Sequence, residues 1–232
     1  CKHRWISFKK MTLKAIIFDF DGIITDTEPV HMEAWLSALE PLGISFDEDE
    51  FHDNYIGMND RDMLDVLGRI HQHHFADSEK ADLIEAKLLA SMNMLEHNIP
   101  LIPGVSEVVP KLAQKYLLSI CSGAMRSEIE FILRHLKWSE FFNPIVASDF
   151  VKRGKPDPEG YIRAVEGLVD RSEELLLPEN VIAIEDSPKG IRAAKSAGLT
   201  CIAISTTHVI EQLKGADRIY SSLADVIFDE IC

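Results

Sequence analysis

Short, continuously apolar runs that alternate with helix-like segments constrain the fold of this chain more than any other feature. Five runs are present, at residues 15–18, 117–121, 144–147, 181–184 and 201–204. Between them the apolar spacing predicts amphipathic helices, as with Ile129, Ile132 and Leu136. Strands that are apolar on both faces belong to parallel sheets covered by helices on both sides. The pattern therefore predicts an α/β fold with a Rossmann-like parallel sheet.

Residues 28–99 interrupt this alternation, because they contain helical patterns and no convincing strand. The first pattern places five apolar residues on one helix face: Ala34, Trp35, Ala38, Leu39 and Leu42. Pro100, Pro103 and Gly104 then mark a linker. We predict an α-helical cap domain at 28–99, inserted into an α/β core domain formed by 11–27 and 100–232.

Composition and charge exclude several classes of protein. Hydrophobic residues make up 46% of the 232 positions, which is enough for a sizeable core. A formal net charge of −14 argues against a nucleic-acid-binding surface, which needs clustered Lys and Arg. No apolar run approaches the roughly 20 residues of a membrane helix. We expect a protein with neither nucleic-acid nor membrane partners, and a monomer as the default state.

The cysteines and the N-terminal segment bear on the cellular compartment. The four cysteines are scattered, with no metal-binding spacing, and Cys121 and Cys201 lie in strand-like runs as expected of buried thiols. Residues 1–10 are basic but lack the apolar stretch of a secretory signal, and Met11 is a candidate natural start. These features predict a reducing, cytoplasmic location.

Polar and charged residues follow four of the predicted strands at the point where each strand ends. In chain order they are Asp19 and Asp21, then Ser122 and Gly123 opening a helix, then Lys155, then Glu185, Asp186 and Ser187 opening another helix. Ligands of parallel sheets bind outside the carboxyl ends of the strands. We therefore expect these side chains to meet at one rim of the sheet.

The chemistry of this set points to phosphoryl transfer. Crowded carboxylates repel each other, and a hard divalent cation with oxygen ligands relieves the repulsion, which favours Mg²⁺ over zinc. A helix N-terminus at Ser122 and the cation of Lys155 suit a phosphate group. One carboxylate can attack phosphorus, and a second one, two residues on, can move the proton of the leaving group.

The same motifs, in the same order, resemble those of the haloacid-dehalogenase-like (HAD) phosphohydrolase superfamily. The matching segments are "DFDGIITDTEPVH", "CSGAMR", "KRGKPDP" and "IEDSPKGIRAAKSAG". The chain looks most like the branch with a helical cap after the first strand, which includes β-phosphoglucomutase and phosphoglycolate phosphatase. The resemblance covers nearly the whole chain from about Met11.

The resemblance implies catalytic roles for the first two aspartates. Asp19 would be the nucleophile and a Mg²⁺ ligand. Asp21 would be the general acid/base, with its main-chain carbonyl also at the metal. Haloacid dehalogenases lack this second aspartate, because a leaving halide needs no proton. Asp21 therefore favours phosphoryl chemistry over dehalogenation.

The resemblance also implies which residues bind phosphate and metal. Ser122 and Gly123 would bind the transferring phosphoryl group, and Lys155 would pair with both that group and the nucleophile. Asp186 would be a metal ligand, with Glu185 assisting directly or through water. The bound partner would be a small phosphorylated metabolite.

Four further places carry weaker signals for substrate binding or metal binding. His31 and Lys87 match cap positions of β-phosphoglucomutase. For His31, a partly buried structural role fits the sequence as well as a substrate contact does. Arg126 is a candidate substrate contact or a solvated side chain. The histidine-rich stretch at 71–74 lacks the spacing of a helical metal-binding pair, so we expect a solvated loop.

Three functions are compatible with these motifs. The first is a Mg²⁺-dependent phosphatase of a small phosphate monoester, with a sugar phosphate as one candidate. The second is a mutase like β-phosphoglucomutase; against it, Asp60 stands where the mutase has a phosphate-gripping arginine, although Arg61 is next to it. The third is a catalytically silent binding module, which the intact chemical positions disfavour. Phosphonate hydrolysis would need a cap lysine that residues 56–60 do not offer.

Overall fold

The computed structural model describes residues 12–55, 58, 60–173 and 175–231. These residues form two compact units, one built from the parts of the chain up to residue 25 and from residue 101 onward, the other from residues 26–100. Met11, the candidate natural start, lies outside the described residues, as do residues 56, 57 and 59 of the stretch examined for a cap lysine. The predicted domain boundaries stay a prediction.

A parallel sheet forms the centre of the first unit. Its strands are β1 (Ala15–Phe18), β2 (Leu117–Cys121), β3 (Phe142–Val146), β4 (Val181–Glu185), β5 (Thr200–Ile204) and β6 (Arg218–Tyr220). Six strands pair in the order β3-β2-β1-β4-β5-β6. In this register Ile16 of β1 lies opposite Leu118 of β2 and Ile182 of β4. The predicted α/β fold with a parallel sheet is confirmed.

β4 and β5 each extend one residue beyond the predicted run, and two other strands differ more from the sequence prediction. β3 begins at Phe142, two residues before the predicted start, and ends at Val146. The prediction missed β6 because Arg218–Tyr220 has three residues and begins with a charge, so it lacks an apolar run. This strand lies at the edge of the sheet beside β5, where less of its surface has to be apolar.

Helices flank the sheet in the first unit and supply the regular structure described in the second. The helices are α1 (Glu28–Leu39), α2 (Glu48–Asn54), α3 (Asp60–Ile70), α4 (Asp77–His97), α5 (Val105–Ala113), α6 (Arg126–His135), α7 (Glu159–Arg171) and α8 (Pro188–Ser196). The helical insert after the first strand is confirmed. None of the helices in the described part of the chain combines the length and the apolar character needed to span a membrane.

Both faces of the sheet are buried, which explains why its central strands are apolar at every position. Ile17 and Ala183 share a buried cluster with Tyr161 of α7 and Ile191 of α8. Neighbouring residues of a strand point to opposite faces, and Phe18 is as fully buried as Ile17. Each fully buried side chain of this size contributes about 1.5–3 kcal/mol. The helices thereby fix the ends of β1 and β4.

The second unit packs around aromatic and aliphatic side chains of its own. Trp35 and Leu39 of α1 share a buried cluster with Leu64 and Leu67 of α3. The prediction that Leu42 continues this face is wrong, since that side chain is 39% exposed. The α-helical part ends at Leu39 because Pro41 cannot continue it, and a short 3₁₀ turn follows.

Candidate active site

The strand order places a ligand-binding crevice between β1 and β4. From β1 the chain proceeds to β2 and β3 on one side, whereas β4, β5 and β6 lie on the other side. In such sheets ligands bind where the order reverses, at the carboxyl ends of the strands. Asp19 follows β1, Glu185 ends β4 and Asp186 follows it, and a ligand oxygen of each lies within 4.8 Å of the others. The structure thus brings three predicted carboxylates into one buried cluster.

Lys155 bridges two of these carboxylates. Its Nζ lies 2.8 Å from Asp19 Oδ2 and 2.7 Å from Glu185 Oε1. The lysine lies in the loop before α7, so the carboxyl ends of β1 and β4 and this loop together form the site. The other oxygen of Asp19 accepts a hydrogen bond from the Phe20 N–H at 2.7 Å. Both oxygens of the proposed nucleophile are therefore held in place.

Glu185 is fully buried and surrounded by protein donors. In addition to Lys155, Oε1 accepts a hydrogen bond from the Tyr161 hydroxyl at 2.7 Å. Oε2 accepts from the Ser187 hydroxyl at 3.1 Å and from the Asp186 N–H at 3.2 Å. A buried carboxylate needs such partners to offset its lost hydration. Because protein donors occupy both oxygens, Glu185 is better suited to orient Lys155 and to act on a metal through water than to bind it directly.

At two glycines the backbone lies very close to the carboxylates of Glu185 and Asp186. A Cβ at Gly190 would lie 1.8 Å from Glu185 Oε1, and one at Gly22 would lie 2.0 Å from Asp186 Oδ2. Gly22 also has a φ of +75°, which disfavours other residues. The Ser187 side chain caps α8 by accepting from the Gly190 N–H at 3.0 Å, so the helix start predicted there is confirmed.

Burial and neighbouring carboxylates both disfavour the ionised forms of the acids in this cluster. Burial raises the pKa of Asp19 well above its usual range, the Glu185 carboxylate adds to the rise, and Lys155 opposes it. Burial raises the pKa of Asp186 to about 7, and the Thr207 hydroxyl opposes that rise. Although burial acts to lower it, the pKa of Lys155 lies above its usual value because both neighbouring carboxylates stabilise the cation.

These observations fit a divalent metal ion. Three carboxylates face one lysine, and oxygen-only ligands within a few ångströms of each other are what Mg²⁺ and related hard cations prefer. Burial is the main cause of the raised pKa values of Asp19 and Asp186, and a bound cation would offset the carboxylate repulsion that adds to it. The buried acidic cluster is thus a chemically suitable site for a hard divalent cation.

Asp21 lies in the tight turn that follows β1. Three backbone N–H groups, those of Ile23, Ile24 and Thr25, point to the Phe20 carbonyl at 3.3, 2.7 and 3.2 Å. Asp21 is half-buried, and its charge is among those that raise the pKa of Asp186. The turn therefore holds this second acid close enough to Asp186 for their charges to interact, and its role in proton transfer stays a prediction.

The region around Ser122 differs from the prediction. Ser122 and Gly123 do follow β2, but the expectation that Ser122 opens a helix is wrong, because α6 begins at Arg126. The Ser122 hydroxyl accepts from the Ala124 N–H at 3.0 Å and so forms a local turn. Glycine at the next position disfavours a helix there. The two residues are presented on a loop, and their binding of phosphate stays a prediction.

The remaining substrate-binding candidates have well-defined local partners. In the second unit, Lys87 Nζ lies 3.2 Å from Asp60 Oδ1 and 5.8 Å from the centre of the Trp35 ring, and His31 is half-buried on α1. In the first unit, Arg126 Nε lies 2.6 Å from Glu130 Oε1, and the guanidinium carbon lies over the Phe150 ring, 4.8 Å from its centre. Their contact with substrate stays a prediction.

The histidine-rich stretch forms a turn and loop after α3, as predicted. His71 Nε2 lies 3.7 Å from Glu50 Oε1 and His73 Nε2 lies 3.3 Å from Glu79 Oε1, so this loop has more acidic neighbours than the sequence suggested. Within the described ranges, the group of carboxylates arranged to hold a metal ion is Asp19, Glu185 and Asp186.

Sequence reasoning missed two residues that shape the site. The Tyr161 hydroxyl donates to Glu185 Oε1, and the Thr207 hydroxyl donates to Asp186 Oδ2. Thr207 follows β5, so the rule that located the other residues, applied to the fifth strand end, would have found it. Tyr161 lies inside an amphipathic helix, where nothing in the spacing distinguishes it from an ordinary core residue.

Known proteins show the same organisation. A family model described as haloacid dehalogenase-like hydrolase matches residues 16–204. The phosphorylated carbohydrates phosphatase of Thermotoga maritima is 33% identical over 189 residues, which cover 81% of this chain and 82% of that protein. The β-phosphoglucomutase of Bacillus subtilis is 28% identical over 222 residues, covering 94% and 93%.

A solved structure extends this likeness to three dimensions. The crystal structure of CbbY from Rhodobacter sphaeroides in complex with phosphate matches with a TM-score of 0.77 and 28% identity, covering 92% of this chain and 96% of that one. The family match runs from β1 to β5 and includes all four strand ends that carry the site, which confirms the resemblance seen in the motifs. The chain belongs to the haloacid dehalogenase-like hydrolase family.

Proposed function

We propose that this enzyme is a Mg²⁺-dependent phosphatase that hydrolyses a small phosphate monoester through an aspartyl-phosphate. The observation that carries the proposal is the Lys155 bridge, 2.8 Å from Asp19 and 2.7 Å from Glu185, beside the carboxylate of Asp186. A phosphorylated sugar is the substrate class we favour, because the Thermotoga relative is named for phosphorylated carbohydrates.

In the first step, a carboxylate oxygen of Asp19 attacks the phosphorus atom. The new bond joins that oxygen to phosphorus, and the bond from phosphorus to the ester oxygen breaks. Asp21 donates its proton to the departing alkoxide, so the alcohol leaves neutral. Lys155, together with Ser122 and Gly123, would bind the oxygens of the phosphoryl group while charge shifts onto them.

In the second step, water attacks the phosphorus atom of the aspartyl-phosphate. Asp21, now ionised, accepts a proton from that water, and the bond between Asp19 and phosphorus breaks. Inorganic phosphate leaves, and both aspartates return to their starting protonation states. The same carboxyl thus acts first as acid and then as base.

Asp19, Asp186 and the main-chain carbonyl of Asp21 would hold the metal ion, with Glu185 acting through water. When bound, the ion would offset the carboxylate charge and withdraw electron density from the phosphoryl oxygens.

Removal of the metal ion is expected to abolish activity reversibly. Excess chelator should stop phosphate release, and Mg²⁺ should restore it, whereas Zn²⁺ should be a poor substitute at an oxygen-ligand site. Asp186→Ala should raise the Mg²⁺ concentration needed for half-maximal activity at least about tenfold. The measurement is phosphate release against metal concentration, and full activity in excess chelator would remove the metal from the proposal.

A phosphosugar mutase is the second candidate, since the Bacillus relative carries that name. A mutase must grip a second phosphate group with cationic side chains. Here Asp60 Oδ1 lies 3.2 Å from Lys87 Nζ, so the lysine that matches a mutase position is already paired with an anion. This pair favours net hydrolysis of a monophosphate.

The two candidates predict different products from β-glucose 1-phosphate with a trace of the bisphosphate. We expect inorganic phosphate to appear faster than glucose 6-phosphate, because the cap lysine is neutralised. The two products are followed in parallel by phosphate detection and by a glucose 6-phosphate dehydrogenase assay. Faster formation of glucose 6-phosphate would replace the phosphatase with the mutase. A panel of phosphate monoesters, with and without Mg²⁺, then identifies the substrate and would expose a catalytically silent protein.

A further inference from the structure

The loop that follows β5 contacts the active site at two points. The Thr206 hydroxyl donates to the Gly22 carbonyl at 2.5 Å, and the Thr207 hydroxyl donates to Asp186 Oδ2. The loop thus joins the turn after β1 to the carboxylate that follows β4. None of the four motifs that define the site includes this segment.

The hydrogen bonds at Thr207 have a defined direction. A hydroxyl has one proton, and an ionised carboxylate only accepts, so the Thr207 proton points to Asp186. His208 Nδ1 lies 2.8 Å from the same hydroxyl oxygen. That nitrogen must therefore carry its proton and donate it to Thr207. The result is a chain of three groups, from the imidazole through the hydroxyl to the carboxylate.

The environment of Asp186 Oδ2 leaves that oxygen little room for another ligand. A Cβ placed on Gly22 would lie 2.0 Å from Oδ2 and 3.0 Å from Thr207 Cγ2. The oxygen therefore lies between the bare Cα of Gly22 and the threonine side chain. Asp186 as a whole is only 5% exposed. Its second oxygen, Oδ1, is the one that remains for a cation.

We propose that Thr207 is a positioning residue for Asp186. Its hydroxyl binds Oδ2 and so holds the carboxylate in a single orientation, with Oδ1 as the oxygen that would bind the metal ion. Groups that hydrogen-bond to metal ligands orient them, and their loss commonly lowers metal affinity by about 10- to 100-fold. The inference rests on the proposed function, since it assigns Asp186 as a metal ligand.

The test is calorimetric titration of Mg²⁺ into the full chain without substrate. Thr207→Val removes the hydroxyl with almost no change of shape, and Thr207→Ser retains it. Thr200→Val is the matched control, because it makes the same change in β5, away from Asp186. We expect the dissociation constant for Mg²⁺ to rise about 10- to 100-fold in Thr207→Val. It should stay within about threefold of wild type in the serine variant and in the control.

Thermal unfolding in chelator separates positioning from general stability. The midpoint of Thr207→Val should fall only by the small amount that the loss of one hydrogen bond to Asp186 costs, with the variant fully folded at the temperature of the titration, and Thr207→Ala should behave like Thr207→Val. Weaker binding that follows partial unfolding at that temperature, or that serine does not rescue, would overturn the positioning role.

Asp186→Ala distinguishes failure of this inference from failure of the proposed function. If that variant loses Mg²⁺ binding while Thr207→Val binds as tightly as wild type, the role of Thr207 is wrong and the metal site stands. If Asp186→Ala binds Mg²⁺ like the wild type, the proposed metal site is wrong and the role of Thr207 fails with it.

Discussion

Asp19→Asn is expected to abolish turnover while leaving the fold nearly unchanged. Asparagine has almost the same shape, so the buried position after β1 should accept it. The amide lacks the negative charge that attacks phosphorus, and loss of a nucleophile removes most of an enzyme's rate enhancement. We expect kcat for a phosphorylated sugar to fall more than about 1,000-fold. The measurements are phosphate release at saturating Mg²⁺ and the thermal unfolding midpoint.

Two further variants make this result specific. Asp21→Asn should lose activity on sugar phosphates but retain part of it on p-nitrophenyl phosphate, whose leaving group needs little protonation. Asp229→Asn makes the same change on an exposed side chain near Lys115 and should leave kcat unchanged. If Asp19→Asn retained a tenth of the wild-type kcat, a covalent mechanism through this residue would be untenable.

The sheet and most of the residues at its rim were predictable from the sequence because they follow from one physical rule. Strands buried on both faces must be apolar, so a charged residue that ends such a run marks the carboxyl end of a strand. Asp19 and Asp186 were found in this way, and the sheet order places them beside each other. The rule needs no knowledge of side-chain contacts.

Tertiary contacts account for what the sequence did not reveal. The hydroxyl of Tyr161 lies 2.7 Å from Glu185 although 24 residues separate them, and its helix looks like any other amphipathic helix. Ser122 illustrates a local error, since its side chain closes a turn with Ala124 where a helix start was predicted. Sequence patterns report burial and periodicity, and neither quantity specifies which polar group a side chain binds.

Lys155→Met is expected to lower both stability and activity. The substitution keeps much of the side-chain volume but leaves the carboxylates of Asp19 and Glu185 buried without their shared cation. Removal of one partner from a buried ion pair typically costs about 3–5 kcal/mol, because an uncompensated charge remains. We expect the free energy of unfolding in chelator, measured with urea, to fall by about that amount. Activity should fall at least about 100-fold, since the lysine would also bind the phosphoryl group.

Lys195→Met supplies the matched control. Lys195 also pairs with a carboxylate, 2.6 Å from Asp217, but both side chains are more than a third exposed. Loss of the Lys195 charge should lower the free energy of unfolding by less than about 1 kcal/mol.

Added Mg²⁺ should restore part of the stability of Lys155→Met. Binding of the ion to the native state stabilises that state, and the ion offsets the repulsion between the carboxylates that the lysine no longer balances. Turnover should not return with it, since the metal ion does not replace the ammonium group at the phosphoryl oxygens. Recovery of both properties would mean that Lys155 only balances charge, and a stability loss equal to that of Lys195→Met would contradict the buried bridge itself.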